Sequence, residues 1–330
     1  MVVGDIINDI LVKPASPVVR GSDTVSVIKA LPGGSAATQA AWMARLGLDV
    51  VFAGRCGARD ADFHRRSLEA SGVRAVVAAD PDADTGVIVI MVSPDGERTM
   101  FTDRGANLRL RLSDVPAGLL DGASVLHLTG YTFFSAGLLE VALSLIAAAR
   151  ARGVLVTIDP GSAAFLAQLT PGEFLRWTSG SAVCFPNLDE ARVLSGSGSD
   201  PAAMAAGLAE HYGAVVVKLG GGGCVLATAG SEPVYVAAHQ VDVQDTTGAG
   251  DAFCGAFLSS WLSSSGGTST SGGTSSPGGP STSGGASAAR ALAEAAAVAV
   301  RTAATAVTAL GGRPPAAAAL RAAPMIMGSS

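Results

Sequence analysis

Charged and aromatic residues are scarce in this 330-residue sequence, at 15% and 5%, whereas apolar residues make up 48%. A chain of this length and composition can bury a large core, in one α/β domain or in two smaller ones. No apolar run reaches the roughly 18 residues that a membrane helix needs. The formal net charge of −5 argues against nucleic acid or an anionic membrane as the main partner. We therefore expect a soluble protein with no nucleic-acid or membrane partner.

Cysteine is also scarce, and its spacing excludes two common uses. The cysteines lie far apart and form no CxxC pair: Cys56, Cys184, Cys224 and Cys254. The N-terminal stretch MVVGDIINDILV has no basic region before its apolar residues, so no secretion signal is predicted. Outside a secretory context, such cysteines are expected to be reduced core thiols and not disulfides or zinc ligands. The predicted location is the cytoplasm.

Several nucleotide-binding motifs are missing. The sequence contains no GxxxxGK[ST] loop and neither the HRD nor the DFG element of protein kinases, which excludes both classes. The histidines show no metal-ligand spacing. The closest approach to a dinucleotide-binding GxGxxG is GAGDAF at 248–253, where Phe253 occupies the third glycine position. An NAD-dependent oxidoreductase is therefore disfavoured.

Strands and helices alternate along the chain from Val154 onwards. Three short apolar runs, GVLVTIDP, SAVCFPN and AVVVKLG, have the length and β-branching of buried strands. Two alanine-rich segments, LLEVALSLIAAARARG and DPAAMAAGLAEHYG, have helical spacing and are predicted to end at Gly153 and Gly213. This alternation predicts a parallel sheet that is covered by helices on both faces.

Two segments depart from the alternation. In TGVIVIMVSPDGERTMFTDRGAN, strand-like runs flank Asp95-Gly96, a strong hairpin signal. With the extended segment near 10–32, the segment 84–105 predicts a small β-element that projects from the main sheet. Residues 263–285 are only Ser, Gly, Thr and Pro, so we expect a flexible insertion between helices near 249–262 and 286–310. We interpret residues 1–330 as a single domain.

The stretch QDTTGAGDAF at 244–253 combines a glycine-rich turn with an acid. Because an apolar helix follows, the N–H groups of Gly248, Ala249 and Gly250 would point at one spot and form an anion site. Asp251 would repel a bound phosphate, but it could accept a proton from a hydroxyl that attacks a phosphoryl group. Alternatively, Asp251 only stabilises the first turn of the helix. The motif alone leaves both interpretations open.

A second motif, GGSAATQAAWMARLG at 33–47, is a diglycine loop that enters an amphipathic helix. The chain begins with VVGDIINDI, interpreted as a strand with Asp9 just past its end. With DTTGAGD at 245–251, these segments resemble the ribokinase-like carbohydrate kinases of the phosphofructokinase-B group. The resemblance extends from Gly4 to about Gly312. It implies a three-layer α/β/α sandwich with a mostly parallel central sheet, and it makes the small β-element a lid.

The resemblance implies an ATP-dependent kinase with Mg²⁺ as cofactor, and it admits activation by a monovalent cation such as K⁺. Asp251 would be the catalytic base, and Gly248, Ala249 and Gly250 would hold the transferring phosphoryl group. Glu190 would position Mg²⁺, largely through water. The residues expected at the acceptor are Asp9, Gly33, Gly34, Ser35, Thr38, Arg104, Thr129 and Asp245. Those expected at the nucleotide are Asn187, Lys218, Gly220, Gly223 and Thr246.

The sequence departs from the family pattern only where the acceptor would bind. Thr38 stands where the family usually has an asparagine, and Thr129 where ribokinase has a glutamate. A D-x-N-x-R segment of several hexose kinases keeps Asp159 here but lacks its arginine. Since the base and the anion site are intact, the departures affect the acceptor and not phosphoryl transfer. We predict phosphorylation of a hydroxymethyl group of a sugar or sugar derivative.

Three further expectations complete the sequence-based interpretation. A nucleoside kinase is the alternative within the family, because nucleoside kinases share both signatures. A catalytically silent protein that binds a sugar or nucleotide is the alternative outside enzymes, and the intact base with its anion site argues against it. Pairing of two lids predicts a homodimer.

Overall fold

The computed structural model describes residues 1–93, 98–196, 198, 200–265 and 286–315. In chain order, the strands are β1 (Val2–Val3), β2 (Ile7–Pro14), β3 (Ser26–Gly33), β4 (Val50–Gly57), β5 (Val73–Asp80), β6 (Thr85–Val92), β7 (Arg98–Gly105), β8 (Val125–Thr129), β9 (Leu155–Asp159), β10 (Val183–Cys184), β11 (Ala214–Lys218), β12 (Cys224–Ala227) and β13 (Val234–Val236). The α-helices are α1 (Ser35–Arg45), α2 (Ala61–Glu69), α3 (Ala136–Ala151), α4 (Ala163–Leu166), α5 (Pro171–Thr178), α6 (Leu188–Ser195), α7 (Pro201–Leu208), α8 (Ala249–Ser265) and α9 (Ala286–Ala306).

Most of these strands form one large sheet in the order β13-β12-β11-β10-β9-β8-β1-β4-β5. All neighbours from β11 to β5 are parallel, and only β12 and β13 add antiparallel pairs at one edge. Successive side chains of a strand point to opposite faces, and two separate cores follow from this. Val216 packs into one core, whereas Val215 and Val217 pack into the other.

Helices cover both faces of the large sheet, as the alternating pattern predicts. Side chains of α1, α2, α8 and α9 belong to the core on one face, and side chains of α3 to α7 belong to the core on the other. The result is a three-layer α/β/α sandwich with a mostly parallel central sheet. The three predicted buried strands are found as β9, β10 and β11, and the helix after the diglycine loop is α1.

A smaller sheet in the order β3-β2-β6-β7 lies at the predicted β-element. Its central pair, β2 with β6, is parallel and its outer pairs are antiparallel. Strand β2 begins at Ile7, so Asp9 lies inside it, opposite Leu31 and Ile88. The prediction that Asp9 directly follows the first core strand is therefore wrong. The first core strand, β1, ends at Val3. Asp5, two residues later, accepts hydrogen bonds from the amides that begin α1.

The predicted helices are found, but several of them end at other residues than predicted. Helix α3 ends at Ala151 and Gly153 follows with φ of 70°, as predicted. Helix α7 ends at Leu208, well before the predicted Gly213, whose N–H instead bonds to Ser181 O at 3.0 Å. Helix α8 continues three residues beyond the predicted 262, and α9 ends four residues before the predicted 310.

Two predicted features fall wholly or mostly beyond the described ranges. The Asp95-Gly96 turn lies outside them, although the strands β6 and β7 on either side pair antiparallel as the hairpin signal predicts. The remainder of the predicted insertion, 266–285, also lies outside them. Within the described part of the chain, no helix combines the length and apolar character needed to cross a membrane.

Candidate active site

Polar side chains gather where the parallel strands of the large sheet end. Asp5 follows β1, Thr129 ends β8, Asp159 ends β9, and Lys218 ends β11. Asn187 follows β10 and forms an isolated parallel bridge with Lys218. In open α/β sheets, ligands bind outside the carboxyl ends of the strands. This edge is therefore the candidate site.

The diglycine loop closes tightly over Asp5. The Asp5 carboxylate accepts hydrogen bonds from the N–H groups of Ser35 (3.1 Å) and Ala36 (3.0 Å), where an anion is favoured by the start of α1. Gly34 has φ of 91°, and a Cβ there would lie 2.5 Å from Asp5 O. Only glycine fits this turn. Sequence reasoning passed over Asp5, although an acid directly after the first strand was the available signal.

The two signature motifs meet at Asp251. Ser35 Oγ donates to Asp251 Oδ1 at 2.7 Å across 216 residues of sequence, and Gln39 Nε2 donates to the same oxygen at 3.0 Å. Burial raises the pKa of Asp251 to about 7, and the bonds from Ser35 and Gln39 partly offset that rise. A carboxyl group with a pKa near neutrality, in the first turn of α8, is suited to accept a proton.

Gln39 links this carboxylate to a second one. Its Nε2 also lies 3.0 Å from Asp159 Oδ2, and its Oε1 accepts from His127 Nε2. Burial lowers the pKa of His127 to about 4, so its imidazole is neutral near pH 7. An amide group has two N–H donors, which Asp159 and Asp251 can each use. The sequence motif contained Gln39, but its partners on β8, β9 and α8 come together only in the fold.

Lys218 lies beneath the start of α8. Its Nζ is 3.1 Å from Asp159 Oδ2, which also accepts from Cys254 Sγ at 3.2 Å. Burial would lower the pKa of Lys218, but the charge of Asp159 raises it above its usual range. The ammonium group therefore stays charged. A Cβ on Gly250 would be 3.5 Å from Lys218 Nζ, which puts this charge next to the predicted anion site.

The residues predicted to form an anion site lie at the turn before α8. Gly248 has φ of 73°, and any side chain there would overlap Gly312. The Ala249 N–H bonds to Thr246 O at 3.3 Å. Within the described residues, no such acceptor is found for the N–H groups of Gly248 and Gly250. These two amides are thus available to an incoming oxygen, at the positive end of the α8 dipole.

A cleft of about 420 Å³ opens beside this turn. Its lining contains all the residues predicted to contact the nucleotide: Asn187, Lys218, Gly220, Gly223 and Thr246. The lining also includes apolar side chains: Val241, Val243, Phe253, Val300 and Val307. A nucleotide has a flat, largely apolar base and a charged phosphate chain, so a lining with both kinds of residue suits it.

The oxygen atoms near the cleft could hold Mg²⁺ only with the help of water and of the substrate's phosphates. The Glu190 carboxylate accepts from Asn187 N and Nδ2, both at 2.8 Å, in a capping box that begins α6. Glu190 is 2% exposed, and burial raises its pKa to about 7. No group of three His, Cys, Asp or Glu side chains in the described ranges could hold a metal ion. Mg²⁺ commonly keeps several waters and binds substrate phosphates, which fits such a site.

Several residues predicted at the acceptor lie around Asp5 and Asp9. Arg104 Nη2 is 3.8 Å from Asp5 Oδ2, and Thr129 Oγ1 is 3.5 Å from Asp5 Oδ1. Asp9 Oδ1 is buried with no hydrogen-bond partner among the described residues. Burial, followed by the charge of Asp5, raises the pKa of Asp9 to about 7. A side chain on Gly33 would overlap the Asp9 carboxylate.

Two predicted acceptor residues have mainly structural contacts. Both Asp245 carboxylate oxygens accept backbone N–H groups, from Thr247 at 2.8 Å and from Gly311 at 2.9 Å. Asp245 thus fastens the turn before α8 to the segment after α9. Thr38 is 3% exposed and lies against Gly312, since a Cβ on Gly312 would be 3.5 Å from Thr38 Cγ2.

Comparisons with known proteins identify the family of the chain. The model of the pfkB family carbohydrate kinases matches residues 1–319. The bifunctional protein HldE of Pseudomonas putida strain W619 is 32% identical over 243 residues, which are 71% of this chain and 48% of that protein, so the chain spans about half its length. The ribokinase of Staphylococcus aureus strain COL is 28% identical over 70% of this chain and 75% of its own.

A solved structure confirms the ribokinase-like fold. The adenosine kinase from Sinorhizobium meliloti superimposes with a TM-score of 0.77 at 24% identity, over 97% of this chain and 98% of that one. At such an identity the likeness concerns the fold, whereas the family match covers both signatures and nearly the whole chain. The chain therefore belongs to the pfkB family of carbohydrate kinases.

Proposed function

We propose that the protein transfers the γ-phosphoryl group of ATP to a hydroxymethyl group of a sugar or nucleoside, with Asp251 as general base. The observation that carries the proposal is the position of Asp251. Its carboxylate is held by Ser35 and Gln39 beside the unbonded amides of Gly248 and Gly250. A proton acceptor next to an oxyanion site is the arrangement that hydroxyl attack on a phosphoryl group requires.

The chain's own groups divide the work of the reaction. Asp251 would take the proton from the attacking hydroxyl, while the amides of Gly248 and Gly250 and the α8 dipole stabilise negative charge on the transferring oxygens. Lys218 adds a buried positive charge below the same turn. Mg²⁺ bound with ATP supplies further neutralisation of phosphate charge. Asn187 and Glu190 would orient that assembly through water.

The small sheet is positioned to act as a lid over the acceptor. It contributes Asp9 from β2 and Arg104 from β7, and both face the group of residues around Asp5. The Arg104 guanidinium also lies 4.2 Å from the centre of the Tyr131 ring. A lid that contacts the acceptor would exclude water from the reacting phosphoryl group and limit hydrolysis of ATP.

The relatives support three acceptor classes. One is named a ribokinase, one from Halopiger xanaduensis is named an ATP-dependent ribose-1-phosphate kinase, and a structural neighbour is named an adenosine kinase. Sugars, sugar phosphates and nucleosides therefore all belong in the first screen. ATP consumption should be measured with pentoses, hexoses, their phosphates and nucleosides. Acceptor-dependent consumption with a member of this panel identifies the substrate class.

The proposal is tested by Asp251→Asn. Asparagine can accept the same bonds from Ser35 and Gln39 but cannot take a proton. We expect kcat to fall by roughly 10²- to 10⁴-fold, the usual contribution of a general base. ATP affinity, measured by calorimetry, should stay within about twofold, because Asp251 is not needed to hold the nucleotide.

The exposed Asp62 provides the matched control, since Asp62→Asn makes the same chemical change on the surface of α2. Its kcat should equal that of the wild type. Undiminished phosphoryl transfer by the Asp251→Asn variant would remove Asp251 from the role of base. An absence of acceptor-dependent ATP consumption in the wild type, across the whole panel, would favour the silent binding protein.

A further inference from the structure

Arg313 is fixed in place by contacts of the two residues before it. The Gly311 N–H donates to Asp245 Oδ2 at 2.9 Å, and Gly312 O accepts from Trp42 Nε1 at 2.8 Å. Gly312 also lies against Gly248, where no side chain would fit. The segment after α9 is thereby held against α1 and the turn before α8. Arg313 therefore enters the acceptor pocket from a backbone that is already positioned.

The Arg313 guanidinium is buried in that pocket with most of its hydrogen-bonding capacity unused. Its Nη2 donates to Gly33 O at 3.4 Å, while Nε and Nη1 are buried without a partner among the described residues. Burial lowers the pKa of Arg313 to about 10, against the charges of Asp9, Asp251 and Asp5, which raise it. Arg313 is therefore charged near pH 7. Buried donors without acceptors are rare in folded proteins, so these atoms point to a ligand.

The Asp9 carboxylate presents the complementary deficit. Asp9 Oδ1 is a buried acceptor with no donor among the described residues, and both the Asp9 carboxylate and Arg313 Nη2 lie against Gly33. A hydroxyl group both donates and accepts, so one hydroxyl, or two neighbouring ones, could satisfy Asp9 and Arg313 together. A phosphate group, by contrast, offers mainly acceptors and would face the carboxylates of Asp5, Asp9 and Asp251.

The charges of the pocket also balance without an anionic ligand. The Arg104 guanidinium faces Asp5, with Nη2 3.8 Å from Oδ2. Arg313 and the Asp9 carboxylate both lie against Gly33, and each affects the pKa of the other. Among the described residues, each of these two arginines thus has a carboxylate near it. When Asp9 is ionised, neither arginine charge is left over for a phosphate on the acceptor.

We propose that Arg313 is a specificity-determining residue that binds, together with Asp9, neighbouring hydroxyl groups of a neutral sugar unit and disfavours phosphorylated acceptors. This inference rests on the proposed function for the identity of the pocket, but it concerns binding and can be measured without turnover. It narrows the acceptor to free sugars and nucleosides.

The test measures equilibrium binding to the full chain at pH 8 by calorimetry. The neutral probes are D-ribose, D-fructose and adenosine, and the anionic probes are ribose 1-phosphate and fructose 6-phosphate. We expect at least one neutral probe to bind about tenfold or more tightly than either phosphate. Arg313→Ala should weaken that probe by roughly 10- to 100-fold, the range for lost bonds to a charged group, and leave ATP affinity within about twofold.

Two variants control the interpretation. Arg301→Ala removes an exposed arginine from α9 and should change neither affinity. Arg313→Lys keeps the charge and should recover part of the lost affinity. In the double variant Asp9→Asn with Arg313→Ala, the two losses should fall short of their sum, because both residues bind the same hydroxyl groups.

The proposal is overturned if Arg313→Ala leaves neutral-probe affinity unchanged, if a phosphate binds more tightly than every neutral probe, or if no probe binds. Retained ATP affinity and an unchanged unfolding midpoint exclude misfolding of the variant, and Arg313→Lys offers a second folded protein. Tight, Arg313-dependent binding of a neutral probe without any phosphoryl transfer would refute the proposed reaction and leave this inference standing.

Discussion

Asp251 and Asp9 both have a pKa raised to about 7, chiefly by burial, as Glu190 does near the nucleotide cleft. Only an ionised Asp251 can accept a proton, so we expect kcat at saturating acceptor to rise with pH and to level off above about pH 7. Acid should abolish turnover and alkali should not. The measurement is kcat and kcat/KM for the best acceptor from about pH 5.5 to 9, and a kcat that is flat over this range would contradict the role of Asp251.

Variants separate the two groups in that measurement. Asp9→Asn should remove a pH dependence from KM and leave the rise in kcat, because Asp9 faces the acceptor and Asp251 the reaction. Gln39→Glu replaces a donor to Asp251 and Asp159 with another carboxyl group. The midpoint of the kcat profile should then move to higher pH, since a neighbouring negative charge favours the protonated form.

At the scale of single residues, the sequence predicted the residues of the motifs but missed residues that contact them, such as Asp5 and Arg313. Asp251, Gly248 and Gly250 lie together as the resemblance implied, and the predicted nucleotide residues line one cleft. Asp245 begins the signature and is predicted to contact the acceptor, and its carboxylate also bonds to two backbone amides. Arg313 follows both signatures in the chain, so no local pattern connected it with Gly33.

In the glycine-rich turn between β11 and β12, one glycine has no room for a side chain and another has open space around it. Gly223 has φ of 93°, and a side chain there would overlap Val236 O on β13. Gly221 has no atom within 4 Å of an added Cβ. We expect Gly223→Ala to lower the free energy of unfolding by about 2 kcal/mol or more and to weaken ATP binding, because the turn must open.

Gly221→Ala is the matched control, two residues away in the same turn. Its free energy of unfolding should stay within about 0.5 kcal/mol of the wild type, as for an exposed substitution without contacts. Thermal unfolding and ATP affinity of both variants provide the measurement. Equal effects of the two substitutions would show that the turn adapts to a side chain at either position.

At the scale of elements, existence and type were predictable and ends were not. Continuous apolar runs identified β9 and β11 because buried parallel strands contain no polar alternation. Gly213 was a reasonable end for α7, but the helix ends earlier, since the Gly213 N–H is needed to bond Ser181 O beside β10. The predicted position of Asp9 was wrong for another reason. The first core strand is only two residues long, and so short a strand shows no periodic pattern.

For the whole molecule, the predicted carbohydrate kinase family is confirmed by the family match, and the predicted ribokinase-like fold by the solved structure. The ATP-dependent kinase activity is what we propose from them. The basis was the order and spacing of two motifs, which the topology then brings into contact through Ser35 and Asp251. The acceptor was not predictable in the same way. The pocket that we propose for it combines β2, β3, β7 and the segment after α9, and each contributes one or two residues without a shared pattern.

Pairing of two molecules through the small sheet remains a prediction at this scale. Its outer strands expose large apolar side chains, with Val27 59%, Ile28 63%, Met100 51% and Phe101 59% accessible. A group of exposed apolar side chains commonly marks a contact surface. We expect a dimer in sedimentation equilibrium, and dissociation to monomers in Ile28→Lys and in Phe101→Lys.

Phe63→Lys provides the control for that experiment, because Phe63 is a large exposed apolar residue on α2, outside the small sheet. It should leave the dimer intact. A wild-type chain that sediments only as a monomer across a concentration series would count against pairing. Loss of the dimer in the Phe63→Lys variant would place the contact elsewhere.

The bond between Arg313 and Gly33 spans 280 residues of sequence, and it has a consequence for the order in which the site matures. During synthesis the diglycine loop leaves the ribosome early, whereas residues 311–313 emerge only after α9 is complete. The acceptor pocket consequently cannot close until almost every other element has been made. Contacts of such long range form late in folding, because the loop they close is entropically unfavourable until its interior is structured. The nascent chain would thus complete its sheet before it could hold a sugar.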